Sequence, residues 1–382
     1  MKTTLTTLLL TLLMFEEVKA QLYLLNDEFN DASTMNNWQN TNIVEGWNAE
    51  QLEAFNVNTT EPGHLHMMPY TCGWYNEWRG PLLFKLVTGD FVFTTEVSIS
   101  NRAGTGLPSS LYSLAGLMLR TPLNYPNGVY GAGGWAAGQQ DYVFLSIGYG
   151  DFAAPCSPNT NGPHFEVKST DNSNSTLCVS PIGSSTAQIR LARIGAAIII
   201  LYRLPGGNWT VHQRYNRPDL PATVQVGFVT YTDWAKWSTY TPAFANSHVI
   251  APGLNPDPSS NPGLPFNPDL IANFDYARFD APVVPLPLVG LNLTNPGQVN
   301  NAQLLTFLGF DSVPCTLSIS VSGNGDVCVD NIETYSIPAI EGTTYQWNVT
   351  GGTILSGQGT NSITVLWYGG TEGVVNVLQE LP

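Results

Sequence analysis

Cationic charge is what this sequence has least of. Its 382 residues include 14 Lys and Arg against 29 Asp and Glu, a formal net charge of -15. Phosphate-rich partners are met by clustered Lys and Arg, so nucleic acid is excluded as a partner. Anionic membrane surfaces are disfavoured for the same reason. Long apolar runs are missing beyond the N-terminus. Ile194–Leu201 is apolar but too short to span a bilayer and reads as a buried strand. No convincing amphipathic helical period occurs. Nothing matches a Gly-x-Ser-x-Gly nucleophile elbow or a phosphate-binding GxxxxGK[ST] loop. Cysteines number only five, with no Cys/His spacing suited to structural zinc. Cys156 and Cys178 bracket a loop-rich segment and are the first candidates for a bridge. Cys315 and Cys328 are the second, which leaves Cys72 over; the alternative is that several are reduced and buried.

What is abundant is Gly (36) and Pro (27), while charged residues make up only 11%. That is the profile of short strands joined by turns. The first 20 residues read as a secretory signal: Lys2 is the basic end, Leu5–Phe15 the apolar run, and Val18-Lys19-Ala20 an A-x-A-like cleavage site. The expected location is therefore outside the cell or on its surface. Net acidity favours solubility and is compatible with neutral ligands such as glycans.

Strand-length runs with period-2 alternation follow one another from residue 21 to 282. Gly80–Ile99 reads as two strands with a turn at Thr88-Gly89-Asp90, the second placing Phe91, Phe93, Thr95 and Val97 on one face. Leu114–Arg120, Asp141–Asp151, His164–Thr170, Ala187–Ile194 and Val224–Thr232 are further strands. Ala196–Leu204 and Asn208–Asn216 flank Pro205-Gly206-Gly207 as a hairpin. Asn273–Pro282 closes the set. Residues 283–310 are Pro-rich and read as a linker. Residues 311–382 carry a second, smaller set of strands that stops without a capping segment, so further C-terminal domains are expected. The fold class is all-β: a two-sheet antiparallel jelly-roll sandwich followed by a small immunoglobulin-like sandwich.

Two resemblances attach to particular residues. DEFN (Asp27–Asn30), GHLHM, GDFVFTTEVS, AGLMLR and the closing FDYARF are similar to concanavalin A-like jelly rolls. Among these are the laminarinase-type enzymes of glycoside hydrolase family 16 and laminin-G-like extracellular domains. The resemblance implies two stacked antiparallel sheets, one often holding a sugar chain. Val327–Gly370, with Tyr345-Gln346-Trp347 and Val365-Leu366-Trp367, resembles a PKD-like domain of secreted bacterial proteins. That implies a spacer or interaction module with Trp347 in its core.

The enzymes of the first group carry Glu-x-Asp-x-x-Glu on a central strand, and this sequence contains no such motif. On the matching strand, Tyr142, Phe144, Ser146 and Gly148 share one face, so aromatics and small residues stand where relatives present acids. Acids from other strands, Glu96 and Glu166, are the ones that could converge instead. Aromatics are better supplied. Flat rings offer apolar faces to sugars, with nearby amides and carboxylates as hydrogen-bonding partners. The candidate ligand-binding residues are Trp74, Tyr75, Trp78, Trp135, Gln140, Tyr149, Trp234 and Trp237; core packing is the alternative for each. In related jelly rolls a structural Ca²⁺ can link the first and last strands through oxygen ligands, which here implies Glu28 and Asp275. The expectation is thus a secreted, non-catalytic protein that binds a polysaccharide or cell-surface glycan, without spanning a membrane. A divergent polysaccharide hydrolase and an adhesion or structural protein are the alternatives.

Overall fold

The computed structural model describes residues 22–47, 49–123, 138–150, 162–250, 267–311, 321–339, 343–368 and 373–380. The expected signal peptide, Trp135, Cys156 and Cys315 lie outside them, and so do both expected cysteine bridges. The chain divides into two compact units, one of which is Leu22–Val313 and the other of which holds Pro314–Pro382. Among the described residues no helix is long and apolar enough to cross a membrane.

In the first unit the strands are β1 (Gln39–Asn40), β2 (Leu52–Val57), β3 (Leu65–Pro69), β4 (Leu82–Thr88), β5 (Phe91–Ser100), β6 (Ser113–Arg120), β7 (Tyr142–Gly150) and β8 (Gly162–Asp171). They continue with β9 (Asn174–Pro181), β10 (Thr186–Ile194), β11 (Ala197–Arg203), β12 (Thr210–Asn216), β13 (Thr223–Tyr231), β14 (Ile271–Phe274) and β15 (Arg278–Asp280). A front sheet runs β1-β4-β13-β6-β7-β8-β9. A back sheet runs β12-β11-β10-β5-β14-β3-β2, with β15 also on β5. All these pairings are antiparallel. Alternation sends Val143, Leu145 and Ile147 of β7 inward to meet Phe93, Ile189 and Leu191 of the back sheet in the main core. The unit is the two-sheet jelly-roll sandwich that the strand pattern implied.

The two ends of this unit are stitched together. Asp27 and Ala277 exchange backbone hydrogen bonds of 2.9 and 2.7 Å. The Asp27 carboxylate also accepts from Phe29 N and from the Trp38 indole, each at 2.9 Å. Asn26 Oδ1 accepts from Phe279 N at 2.6 Å. These contacts explain Asp27 of DEFN and the asparagine before it. The expected closing strand is broken into β14 and β15, and Ala277 in the gap pairs with Asp27.

The expected linker is the clearest departure. Residues 283–310 lie across the outer face of the back sheet as a strap ending in a helix, α1 (Asn301–Leu308). Leu288, Leu293, Val299, Leu304 and Leu308 are buried there with Val92, Ile199, Leu201 and Trp209. Asn300 and Gln303 form a capping box at the helix start. Arg190, fully buried, donates to the Leu308 carbonyl and lies 4.0 Å from the centre of the Trp209 ring. Proline in this segment shapes an ordered covering and not a free spacer.

In the C-terminal unit, β16 (Ile332–Ser336), β17 (Thr344–Thr350), β18 (Gly352–Ser356), β19 (Ser362–Trp367) and β20 (Val374–Glu380) form a β16-β19-β18 sheet and a β17-β20 pair. Trp347 is 2% exposed among Tyr335, Tyr345, Val365 and Trp367. Its indole donates to the Thr360 carbonyl at 2.8 Å.

Candidate functional site

The outer face of the front sheet carries a second cluster of side chains. Tyr142 and Phe144 from β7 and Tyr231 from β13 point outward, where Trp74 and Trp237 cover them. Gly148, Gly116 and Gly227 lie on this face too. At Gly227 a Cβ would stand 1.8 Å from the Leu83 carbonyl oxygen, so no side chain fits.

The cover consists of the segment Thr71–Pro81 and two short helices, Trp234–Trp237 and Pro242–Asn246. Cys72 bridges Thr232, and its buried thiol lies 3.8 Å from the Thr230 carbonyl. Gly73 lets the Trp237 ring approach, since a Cβ there would meet it at 2.8 Å. Asn76 clamps this segment to β9: its N–H donates to Ser175 Oγ at 2.7 Å while its Oδ1 accepts from Ser175 N at 2.9 Å. Below it lies a buried polar network. Arg120 donates to Glu45, to Gln225 at 2.9 Å and to Gln140 at 3.2 Å. Arg79 donates to Asn42 and, at 3.0 Å, to the Asn246 carbonyl; burial pulls its pKa down to about 9.

Between cover and sheet a cavity of about 660 Å³ opens. Its aromatic walls are Trp74, Tyr75, Tyr112, Tyr231 and Trp234. Tyr75 and Trp234 meet edge to face at 5.5 Å. Glu166 and Lys168 from β8 supply the charge. Lys168 Nζ is 2.8 Å from Glu166 Oε1 and donates to the Trp74 carbonyl at 2.5 Å. It lies 4.7, 5.3 and 5.5 Å from the ring centres of Phe144, Tyr75 and Tyr231. The Tyr231 hydroxyl donates to Glu166 Oε1 at 3.1 Å. Glu166 Oε2 is buried without a partner. Burial lowers the Lys168 pKa, opposed by the Glu166 charge. The Tyr231 phenol is raised well above its usual range by burial and by Glu166. Among the described lining residues Glu166 is the one carboxylate.

The expected binding residues divide sharply. Trp74, Tyr75 and Trp234 line the cavity. Trp78 stands behind Trp234, edge to face at 6.0 Å, with its indole on the Tyr240 carbonyl. Trp237 is fully buried and structural. Gln140 serves the Arg120 network, and half-buried Tyr149 sits at the end of β7 outside the cavity wall. Lys168, Tyr231 and Tyr112 were not singled out from the sequence. Their signal was readable only in part: His164, Glu166, Lys168 and Thr170 put four polar residues on one face of a strand whose other face carries the core residues Phe165 and Val167.

The ends expected to share a calcium ion are joined otherwise. Both oxygens of Glu28 accept from Arg278, at 2.8 and 2.7 Å, so a cation already sits at this carboxylate. Asp275 is 4.0 Å from His64. Among the described residues the carboxylates that do gather are Asp141, Asp171 and Asp219, whose oxygens lie within 4.8 Å and could hold a metal ion. Arg217 pairs with Asp219 at 2.6 Å and approaches Asp141 at 3.7 Å, supplying part of the balancing charge.

These features define a jelly-roll sandwich with an aromatic cavity on its front sheet. Residues 314–380 match the family of PKD-like domains, so the chain carries such a domain at its C-terminal end. No curated protein sequence matches the chain significantly. Among solved structures, a functionally unknown protein from Saccharomyces cerevisiae is 13% identical, with 65% of this chain and 98% of that one covered and a TM-score of 0.40. A GH43 protein from Bacillus licheniformis is 12% identical over 67% of this chain, which spans only 39% of that longer protein, with a TM-score of 0.42. A legume lectin-like domain from Entamoeba histolytica is 8% identical over 66% of this chain and 93% of its own, with a TM-score of 0.37.

Proposed function

We propose that the protein is a secreted or cell-surface glycan-binding module without hydrolytic activity, its PKD-like domain serving as a spacer. The observation that carries this reading is the cavity itself: aromatic walls around one described carboxylate, already tied to Lys168. Aromatic faces and a few fixed polar groups are what a sugar-binding cleft requires. Glycoside hydrolysis takes two carboxyl groups about 5–9.5 Å apart across the scissile bond, and the described wall offers one.

Screening the full chain against a glycan array, with reducing-sugar release followed in parallel, tests the proposal. Binding without release is expected. Trp234→Ala removes a partly exposed wall residue and should weaken binding by roughly tenfold or more while the fold persists. Sugar release that disappears in Glu166→Gln would instead make the protein a hydrolase.

A further inference from the structure

Glu166 has an unequal pair of oxygens. Oε1 accepts from Lys168 Nζ at 2.8 Å and from the Tyr231 hydroxyl at 3.1 Å. Oε2 has no partner, although Glu166 is fully buried and belongs to the cavity wall. A buried carboxylate oxygen left unpaired is costly, and a ligand that supplies a donor removes the cost. The two hydroxyl side chains that β9 brings to this wall are already engaged. Ser175 Oγ accepts from Asn76 N and shares a 2.7 Å hydrogen bond with Thr170 Oγ1. Thr176 Oγ1 donates to the Ser169 carbonyl at 3.3 Å.

Resting on the glycan reading above, we infer that Glu166 is the specificity-determining residue of the cavity: Oε2 accepts a hydrogen bond from a sugar hydroxyl, so the site takes uncharged saccharides and rejects both uronates and amino sugars. A uronate carboxylate brings negative charge and only acceptors to an anionic acceptor. The cation that would offset this, Lys168, is committed to Glu166 and the Trp74 carbonyl and is only 2% exposed. An aminosugar ammonium does donate, but it must enter beside the Lys168 ammonium in a wall of aromatic rings. Like charges in such a poorly solvated space repel strongly. A neutral hydroxyl meets neither obstacle, and the ring that carries it has aromatic side chains to pack against.

Calorimetric titration of the full chain with three oligosaccharide series tests this: neutral gluco-, manno- and xylo-oligosaccharides, oligogalacturonates, and fully deacetylated glucosamine oligomers. The neutral series is expected to contain a ligand bound at least about tenfold more tightly than any charged one, with an affinity insensitive to salt. In Glu166→Gln the loss of a charged acceptor should weaken that ligand by roughly tenfold to a hundredfold, with near-ultraviolet circular dichroism unchanged. Equal or tighter binding of a uronate or glucosamine oligomer overturns the inference while leaving the glycan reading intact. Unaltered affinity in a folded Glu166→Gln protein overturns it too. If that variant fails to fold, the comparison among the three series on the unaltered protein decides. Failure of every series to bind removes the glycan reading itself.

Discussion

Replacing Lys168 with methionine isolates what holds the cavity floor in place. The aliphatic stem is kept, while the ammonium that faces Glu166 Oε1 and the Trp74 carbonyl is lost. Glu166 is then a fully buried carboxylate with the Tyr231 hydroxyl as its remaining side-chain donor. Removing one partner of a buried ion pair costs about 3–5 kcal/mol. A unit of this size loses roughly 2–4 °C of melting temperature per kcal/mol, so a fall of roughly 6–20 °C is expected. Urea and thermal melts of the variant beside the unaltered protein measure the deficit. Adding Glu166→Gln should recover much of the loss, because no buried charge remains. A double variant no more stable than the single one would refute the argument.

Three further outcomes follow from other parts of the fold. His212 packs edge-on against Phe165 and Tyr202, and burial lowers its pKa from 6.5 to about 4. The unfolded chain thus takes up a proton that the folded state refuses, and stability should decline as pH falls from about 6.5 toward 4; His212→Phe should flatten the slope in that window, which denaturant melts would register. Ending the chain at Pro282 strips the strap from the back sheet, and the uncovered Ile199, Leu201 and Trp209 should bind a hydrophobic dye and lower stability by several kcal/mol. Gly227→Ala forces a methyl into the Leu83 carbonyl and should cost about 3 kcal/mol or more, read as a lower melting temperature or failed expression.

Much of the architecture was legible because it is written in local alternation. β4 and β5 flank Thr88-Gly89-Asp90 as expected, and Phe91, Phe93 and Val97 do face the main core. The period of β7 put Tyr142 and Phe144 on one face but left open whether that face met the core or a groove; they lie in the outer-face cluster and not between the sheets. The strap was missed because its prolines dominate the composition, while its apolar anchors from Leu288 to Leu308 follow no single period. The capping pair Asn300 and Gln303 was the available sign of a helix. At the site, Glu166 and Lys168 are two residues apart on one strand, and that spacing is visible in the sequence. Their partner Tyr231 is not, because β13 reaches β8 only through the spatial order β13-β6-β7-β8. The same limit applies to the tryptophans: Trp234 and Trp237 share one helical turn, and only the surrounding fold decides that one lines the cavity and the other is sealed beneath it.

The stitching of the first unit's two ends constrains how the chain assembles during synthesis. Arg278 must find Glu28 across 250 residues of sequence. β5 is flanked by β10 on one side and by β14 and β15 on the other. A growing chain therefore carries β5 with one edge open, and its opening segment without its clasp, until the last strands have emerged. Contacts this distant in sequence slow folding and prolong the exposure of unpaired strand edges. Completion of the sandwich therefore waits on the last strands of the unit.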